Sequence, residues 1–266
     1  MPDHQLTIGN VELISLNDGM PTRSPMMPFP DTTIEQWREF PGLVDSNDQV
    51  RSRYGTVAVR SGGKLIIVDT GLQADDGTLL DDMREKGIDR DEVDLVVFTH
   101  LHPDHVGWNL TNGQPNFPNA RYVANEADWT AFETPLDSEI FGYDWWAETV
   151  APLRRLGVLD LINDETELTG ELTVTPTPGH TPGSMSMIIN SVGERAFIMG
   201  DVFHGPAQVT ETDWVFHYDM DPERAGETRK DMLEWAEREN AAIAICHHSG
   251  FGRVIRESGK RYWQAL

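Results

Sequence analysis

Apolar runs along the chain alternate with polar stretches rich in glycine and proline, and the lengths of these runs predict short strands mixed with helices. Residues 54–59 and 64–68 flank a Ser-Gly-Gly segment, a pattern typical of a β-hairpin. Residues 95–98 are apolar throughout, as expected of a strand buried on both faces. Further strands are predicted at residues 11–16, 120–124, 172–175, 185–189, 196–199, 242–246 and 253–256.

Helices are predicted between these strands. Residues 222–239 should form a well-defined helix, since Asp221 can cap it and Pro222 suits its first position. The other predicted helical segments are residues 32–40, 75–86 and, for the most part, 126–161. Strands fall into two series that each include helices, which predicts an α/β architecture with sheets inside and helices outside. We interpret residues 1–266 as a single domain in which the proline-rich residues 21–31 form an arm or loop.

Composition narrows the classes of function and partner. The net charge of −23 disfavours nucleic acids and anionic membranes as partners, because both are bound largely through Lys and Arg. No segment approaches the roughly 20 apolar residues of a membrane-spanning helix, and no secretory signal is recognisable at the N-terminus. With a single cysteine, Cys246, a cytoplasmic location is the simpler expectation, although a secreted enzyme without disulfides would have the same composition.

The segment directly after the buried strand at residues 95–98 carries the most informative chemistry. It reads Thr-His-Leu-His-Pro-Asp-His, and so places His100, His102, Asp104 and His105 within six residues. Residues two apart in an extended segment point the same way, so the first two histidines can bind one cation together. The chain must turn at Pro103, which lets the remaining two side chains face a second cation nearby. Imidazole and carboxylate suit zinc, manganese or iron.

Three later clusters also place a histidine or an aspartate at the end of a predicted strand. They are a Pro-Gly-His-Thr-Pro-Gly-Ser turn containing His180, a Met-Gly-Asp segment ending at Asp201, and a Cys-His-His segment containing His247. Ligands at the ends of rigid strands can converge on one point. Two histidines are adjacent in the last cluster, and we favour His247 over His248 because it comes first after the strand.

Taken together, these motifs resemble the metallo-β-lactamase superfamily over roughly residues 54–252. The resemblance implies an αβ/βα sandwich with two sheets face to face. It also implies two divalent cations, most commonly Zn²⁺, with Mn, Fe or Co as alternatives. The first cation would be held by His100, His102 and His180, and the second by Asp104, His105 and His247. Asp201 would bridge the two.

The resemblance points to a hydrolase in which a hydroxide shared by the two cations attacks a carbonyl. Asp104 would pass a proton to the leaving group. The superfamily's lactonases carry a tyrosine three positions after the bridging aspartate, where this chain has His204. This departure favours the branch of methyl-parathion-hydrolase-like and arylesterase-like enzymes. His204 is then either a hydrogen-bond donor to the substrate or a packing residue.

We therefore expect a small-molecule carboxylic ester or lactone as the substrate. A phosphotriester or a thioester, the latter as in glyoxalase II, is the alternative within hydrolases, and a metal-binding sensor without turnover is the alternative of another class. A homodimer is compatible with the proline-rich arm. Five aromatic residues are candidates for an apolar substrate pocket beside the cations: Phe29, Trp108, Phe141, Trp145 and Trp146.

Overall fold

A computed structural model describes residues 4–133 and 144–266, and strands dominate this part of the chain. The strands are β1 (Gln5–Ile8), β2 (Val11–Gly19), β3 (Thr22–Arg23), β4 (Val50–Arg51), β5 (Tyr54–Ser61), β6 (Lys64–Val68), β7 (Leu95–Val97), β8 (Leu110–Thr111), β9 (Gln114–Pro115), β10 (Arg121–Asn125), β11 (Leu159–Ile162), β12 (Thr166–Thr169), β13 (Leu172–Pro176), β14 (Met185–Ser191), β15 (Glu194–Ile198), β16 (Ala242–Ala244), β17 (Phe251–Glu257) and β18 (Lys260–Ala265).

Most helices in the described residues are short. They are α1 (Ile34–Trp37), α2 (Leu79–Glu85), α3 (Pro103–Val106), α4 (Glu126–Phe132), α5 (Ala151–Arg155), α6 (Pro206–Thr210) and α7 (Pro222–Arg238). A π-helical turn at Trp146–Val150 leads into α5, and 3₁₀ turns occur at Arg90–Glu92 and Gly107–Asn109. The longest helix, α7, begins as predicted, since the Asp221 side chain accepts a hydrogen bond from the backbone N–H of Arg224.

Two seven-stranded mixed sheets form the centre of the molecule. The first has the order β1-β2-β5-β6-β7-β10-β11, and the second β12-β13-β14-β15-β16-β17-β18. In the first sheet the predicted hairpin joins β5 to β6 through Gly62 and Gly63, which have φ values of 58° and 77°. Two successive positive φ values match the right-handed twist of the paired strands, and glycine adopts them without steric cost.

The sheets pack face to face with helices on their outer sides. Along β6, Ile66 and Val68 face the second sheet, whereas Leu65 and Ile67 pack under α2 and its neighbours. This alternation is the two-residue period of a strand buried on both faces. On the far side of the second sheet, apolar residues of β15 and β16 pack against α7. The result is an αβ/βα sandwich, the fold that the sequence motifs imply.

Several elements differ from the sequence-based expectations. Residues 159–161 were expected to belong to a helical region, but they lie in β11, which pairs in parallel with β10. This strand is only half-buried and edges the sheet, so its apolar residues lack the sustained run that indicates a strand. Helices α1 and α2 are shorter than the segments predicted for them. Strands β1, β12 and β18 were not predicted.

The proline-rich residues 21–31 form mostly turns, as predicted, but they also contribute β3, which pairs with β4. Phe29, in this segment, packs with Trp37 of α1 and with Trp214 and Phe216 of a later loop. Packing between these rings holds residues 21–31 against α1 and the later loop. Among the residues that the structure describes, no helix is both long and apolar enough to cross a bilayer.

Candidate metal centre and pocket

The histidine-rich segment follows β7 and turns at Pro103, the residue directly after His102. His102 has an extended backbone (φ −69°, ψ 156°) and occupies the N-cap position of α3, in which Pro103 lies in the first turn. The extended stretch places His100 Nε2 3.2 Å from His102 Nδ1, as expected for residues two apart. Asp104 and His105 lie in α3 itself, and their side chains lie beside the pair formed by His100 and His102.

His180 completes a group of three imidazoles. Its Nε2 lies 2.9 Å from His102 Nδ1, so that His100, His102 and His180 direct one nitrogen each toward a common point. His180 comes from the turn between β13 and β14, in the sheet opposite the one that carries His100. The structure therefore brings together residues that are 78 positions apart in the chain.

A second group lies beside the first. His247 Nε2 is 3.6 Å from Asp104 Oδ2, and His105 Nε2 is 3.8 Å from Asp104 Oδ1. His247 follows β16 in the second sheet, whereas the neighbouring His248 has its ring against Trp263, with ring centroids 5.8 Å apart. His247 is thus the member of the pair that reaches the cluster.

Asp201 lies between the two groups. It follows β15 and Gly200, and its Oδ2 is 3.5 Å from His180 Nε2 and 3.1 Å from His247 Nε2. Its Oδ1 is 3.5 Å from His105 Nε2. All seven ligands predicted from the sequence therefore lie in one cluster, with Asp201 at its centre.

The outer nitrogens of three histidines contact oxygen atoms of the surrounding protein. Nδ1 of His105 lies 2.8 Å from Asp69 Oδ2, and Nδ1 of His180 lies 2.9 Å from Asp219 Oδ1. Nδ1 of His247 lies 2.9 Å from the backbone oxygen of Arg53. A carbonyl oxygen can only accept, so this last ring carries a proton on Nδ1, and Nε2 is the atom that would meet a cation.

Burial and mutual repulsion shape the ionisation of the cluster. Burial, the largest influence, lowers the pKa of His100 and His102 well below the usual value, and neighbouring imidazoles lower it further. Burial raises the pKa of Asp201, but the surrounding histidines outweigh it and hold that pKa well below its ordinary value. At His105 and His247 burial also lowers the pKa, but nearby groups including Asp201 outweigh it and raise the pKa, that of His247 to about 10. A cation bound by these two rings would therefore displace a proton from each.

A cavity of about 960 Å³ opens above this cluster. Asp104, His180, Asp201 and His247 form part of its floor. His204 is buried beside Asp201, with its ring stacked on Phe216 at a centroid distance of 3.3 Å. Much of the remaining wall is apolar and includes Pro28, Phe29, Trp37, Leu43, Phe132, Phe216 and Met220.

Of the five aromatic residues proposed for this pocket, Phe29 lines it and three others do not. Trp108 is turned away and donates a hydrogen bond from Nε1 to Asp18 Oδ1 at 2.6 Å. Trp145 belongs to the core outside the first sheet, where it meets Phe132, and Trp146 packs against Trp129 of α4. The prediction for these three residues was wrong: Asp18 holds Trp108 away from the cavity, and the π-helical turn and the residue before it bring Trp146 and Trp145 onto side chains of α4. Phe141 lies outside the described residues.

Comparisons with known proteins agree with this architecture. The model of the family described as the metallo-beta-lactamase superfamily matches residues 56–247. The chain belongs to the metallo-β-lactamase superfamily. The uncharacterized protein YobT of Bacillus subtilis (strain 168) is 28% identical over 183 residues, which cover 64% of this chain and 72% of YobT.

Solved structures of the metallo-β-lactamase superfamily cover nearly the whole chain. The hydrolase AbOPH is similar with a TM-score of 0.88 and 26% identity, over 99% of this chain and 97% of that one. AidC, a dizinc quorum-quenching lactonase solved with a product, is similar with a TM-score of 0.84 over 98% of this chain and 96% of its own. Its 21% identity shows the shared fold alone.

Membership of the metallo-β-lactamase superfamily implies that divalent metal ions bind to this chain, and the residues present fit such ions. His and Asp side chains are the donor set that suits zinc and related metals. Asp201 Oδ1 is buried and accepts no hydrogen bond within the described residues, which is costly for a carboxylate unless a cation meets it.

Sequence reasoning missed the residues that support this metallo-β-lactamase site from behind. They include Asp69, Asp128, Asp219, Arg53 and Arg229. The Asp69 carboxylate also accepts hydrogen bonds from the backbone N–H and side chain of Thr99, at 2.7 Å each. Asp69 lies in a Val-Asp-Thr-Gly segment directly after β6, and nothing in the spacing of that segment indicates its partner.

Proposed function

We propose that this protein is a hydrolase of carboxylic esters or lactones that uses two divalent cations. The observation that carries the proposal is the position of Asp201, which lies between two groups of ligands at the floor of a cavity with much apolar wall. The hydrolase AbOPH and the lactonase AidC, similar in fold, support the choice of this reaction class.

The assignment of ligands follows the two groups. His100, His102 and His180 would hold the first cation, while Asp104, His105 and His247 would hold the second, with Asp201 shared. Zn²⁺ suits these ligands, as do Mn, Fe and Co. Such a pair of cations supplies a hydroxide nucleophile at neutral pH and positive charge beside the oxygen under attack.

Asp104 is the residue of this set best placed to move a proton. Its side chain is 25% exposed, whereas that of Asp201 is 4% exposed, and it lines the cavity. A carboxylate that reaches both the ligand cluster and the open space of the pocket can deliver a proton to the departing oxygen of an ester.

His204 would orient the carbonyl group of the substrate. Burial, the largest influence, lowers its pKa to about 4, so the ring is neutral at pH 7. Its Nε2 lies 3.2 Å from Asp201 Oδ2, at the edge of the cluster that faces the cavity. A neutral imidazole has one N–H: it serves a substrate oxygen when the proton is on Nε2, and Gln208 Oε1, 3.3 Å from Nδ1, when it is on Nδ1.

The walls favour an aryl or acyl group over a strongly polar one. Phe29, Trp37 and Phe216 form a cluster of rings on one side of the cavity. Burying an apolar group against such a wall stabilises its complex by roughly 25 cal/mol per Å². The substrate class is therefore an ester or lactone with an apolar substituent.

The test is a turnover assay of the zinc-loaded protein against aryl esters, acyl lactones, phosphotriesters and thioesters. We expect ester or lactone turnover, and a loss of about 10²-fold or more in Asp104→Asn, since that change removes a ligand charge and a proton donor. Asp164→Asn, an exposed carboxylate outside the cavity, is the matched control and should behave as wild type.

Equal rates for Asp104→Asn and wild type would contradict the proposal. Turnover of phosphotriesters or thioesters alone would replace the substrate class while keeping the cations. A protein that binds two cations and turns over none of the four classes would favour a ligand sensor instead.

A further inference from the structure

Two arginines lie buried beside the loops that carry the predicted metal ligands. Arg53 is 3% exposed and Arg229 is 2% exposed. A buried guanidinium loses its hydration, and the loss is tolerated only where its donors are satisfied. Burial lowers the pKa of both groups, and both bind mainly backbone carbonyl oxygens.

Arg53 holds the end of β16 that carries His247. Its Nε donates to the carbonyl of Cys246 at 2.9 Å, and its Nη2 to that of Ile245 at 3.4 Å. Nη1 donates to Ser15 Oγ at 2.6 Å and so anchors the guanidinium on β2. The backbone oxygen of Arg53 itself accepts the proton of His247 Nδ1 at 2.9 Å.

Arg53 therefore fixes His247 twice. Its side chain holds the two residues that precede this histidine, and its main chain holds the imidazole ring. Gly55, two residues later, lets the strands approach closely, because a Cβ there would lie 2.3 Å from the carbonyl oxygen of Cys246. The orientation of the ring depends on contacts that cross from the first sheet to the second.

Arg229 supports His180 as Arg53 supports His247, but through a carboxylate. From α7, its Nη2 lies 3.3 Å from Asp219 Oδ2, while Asp219 Oδ1 lies 2.9 Å from His180 Nδ1. Nε of Arg229 donates to the carbonyl of Val202 at 2.9 Å, next to Asp201. The guanidinium thus holds the carboxylate that orients the His180 ring.

We propose that Arg53 and Arg229 are positioning residues, each for one half of the metal centre. Arg53 sets the affinity for the second cation through His247, and Arg229 sets the affinity for the first through Asp219 and His180. This inference rests on the two-cation part of the proposed function and is independent of which ester is cleaved. Outer partners of ligating histidines commonly change metal affinity by about 10- to 100-fold.

The experiment measures stepwise Zn²⁺ affinity of the full-length protein by competition with a chromophoric chelator. Two backgrounds separate the half-sites: His247→Ala leaves the first, and His180→Ala leaves the second. In the His247→Ala background we expect Arg229→Met to weaken zinc binding about 10-fold or more, and Arg53→Met to leave it within about 3-fold. In the His180→Ala background we expect the reverse.

Conservative variants keep the test decisive if a methionine variant fails to fold. Arg53→Lys retains the charge and can donate to one of the two carbonyls, so an intermediate affinity is expected. Asp219→Asn interrupts the route from Arg229 to His180 at nearly constant volume and should match Arg229→Met. Circular dichroism and unfolding of the metal-free proteins report any loss of stability separately.

Equal weakening by both arginine variants in both backgrounds would overturn the proposal, since a general loss of stability has no preference for a half-site. So would lowered stability with unchanged zinc affinity, or one binding event in the wild type. Two cations bound by the wild type without ester hydrolysis would refute the hydrolase assignment alone, and the arginine roles would then stand on the affinities.

Discussion

Asp128 shows how much a single buried carboxylate can organise at this site. It lies in α4 with no exposed surface, and it accepts hydrogen bonds from the backbone of Leu101 at 3.0 Å and of Gly183 at 2.6 Å. It also accepts one from Thr181 Oγ1 at 3.0 Å. Since these donors belong to the loops of His100–His102 and His180, Asp128 joins two ligand loops from opposite sheets.

We expect Asp128→Ala to lower the free energy of unfolding by about 3 kcal/mol, because three buried donors lose their acceptor. Zinc affinity should fall with it, since both loops would loosen. Denaturant unfolding of the metal-free protein measures the first effect and chelator competition the second. Asp164→Ala, at an exposed turn, should stay within about 0.5 kcal/mol of wild type; an Asp128→Ala value that small would show that the carboxylate is dispensable.

Residues differ in how far their roles can be predicted from the sequence. The clustering of the predicted metal ligands could be anticipated because each follows a strand, and their spacing after β7 matches the alternation of an extended chain. Arg53 and Asp128 were not, because their partners lie 193 and 55 positions away and no local pattern marks them. Residues 108, 145 and 146 illustrate the opposite error. The size of these tryptophans suggested that they line a pocket, whereas they pack in the core on the outer face of the first sheet.

At the scale of elements, α7 is tied to the edge of the second sheet by one carboxylate. Glu237 binds the Arg256 guanidinium at 2.6 and 2.8 Å and Arg261 Nε at 2.8 Å. Hydrogen bonds from these arginines of β17 and β18 lower the Glu237 pKa from 4.5 to about 2. The helix carries Arg229, so this contact also steadies the support behind His180.

The lowered pKa makes this contact dependent on pH. A carboxylate more acidic in the folded state contributes stability above its unfolded pKa, and that contribution is lost as pH falls toward the folded value. We expect Glu237→Gln to cost about 1 kcal/mol at pH 7, after allowance for solvent screening of a partly exposed pair. The difference from wild type should shrink as pH falls from about 4.5 toward about 2. Denaturant unfolding at several pH values measures it.

A difference that stayed constant over this pH range would show that Glu237 acts through packing and not through its charge. Asp231→Asn, on the same helix, is the matched control. The Asp231 side chain is exposed and forms none of the hydrogen bonds or ion pairs found among the described residues, so this variant should give no pH-dependent difference.

The prediction of elements succeeded where local chemistry alone decides the structure. The β5–β6 hairpin follows from two glycines in its turn, and α7 from its capping aspartate and first-turn proline. Strand β11 was missed because pairing with β10, a tertiary contact, makes a strand of a short and half-buried segment. Strand β18 likewise depends on pairing with β17.

On the scale of the whole molecule, the predicted metal ligands are divided between the two sheets. The loop after β7 supplies four, and the second sheet supplies His180, Asp201 and His247. Cations bound here would join the two halves of the sandwich. Anything that binds the folded state alone stabilises it by mass action.

Chelation should therefore lower thermal stability without unfolding the protein. At zinc concentrations near 100 times the dissociation constant we expect EDTA to lower the Tm by about 5–10 °C, corresponding to about 2.7 kcal/mol. The apolar packing between the sheets and beneath the helices remains after metal removal, so far-UV circular dichroism should change little. The double variant His180→Ala/His247→Ala is the control and should show almost no shift; the same shift in it would place the stabilising zinc elsewhere.

Ring packing around Phe29 has a practical consequence for engineering this enzyme scaffold. The aromatic wall comes from residues 21–31, α1 and the loop of Trp214 and Phe216, while the ligands His100, His102, Asp104 and His105 follow β7. Libraries randomised at the wall can therefore explore new leaving groups with the predicted metal ligands left untouched. Directed evolution of selectivity would begin at Phe29 and Trp37.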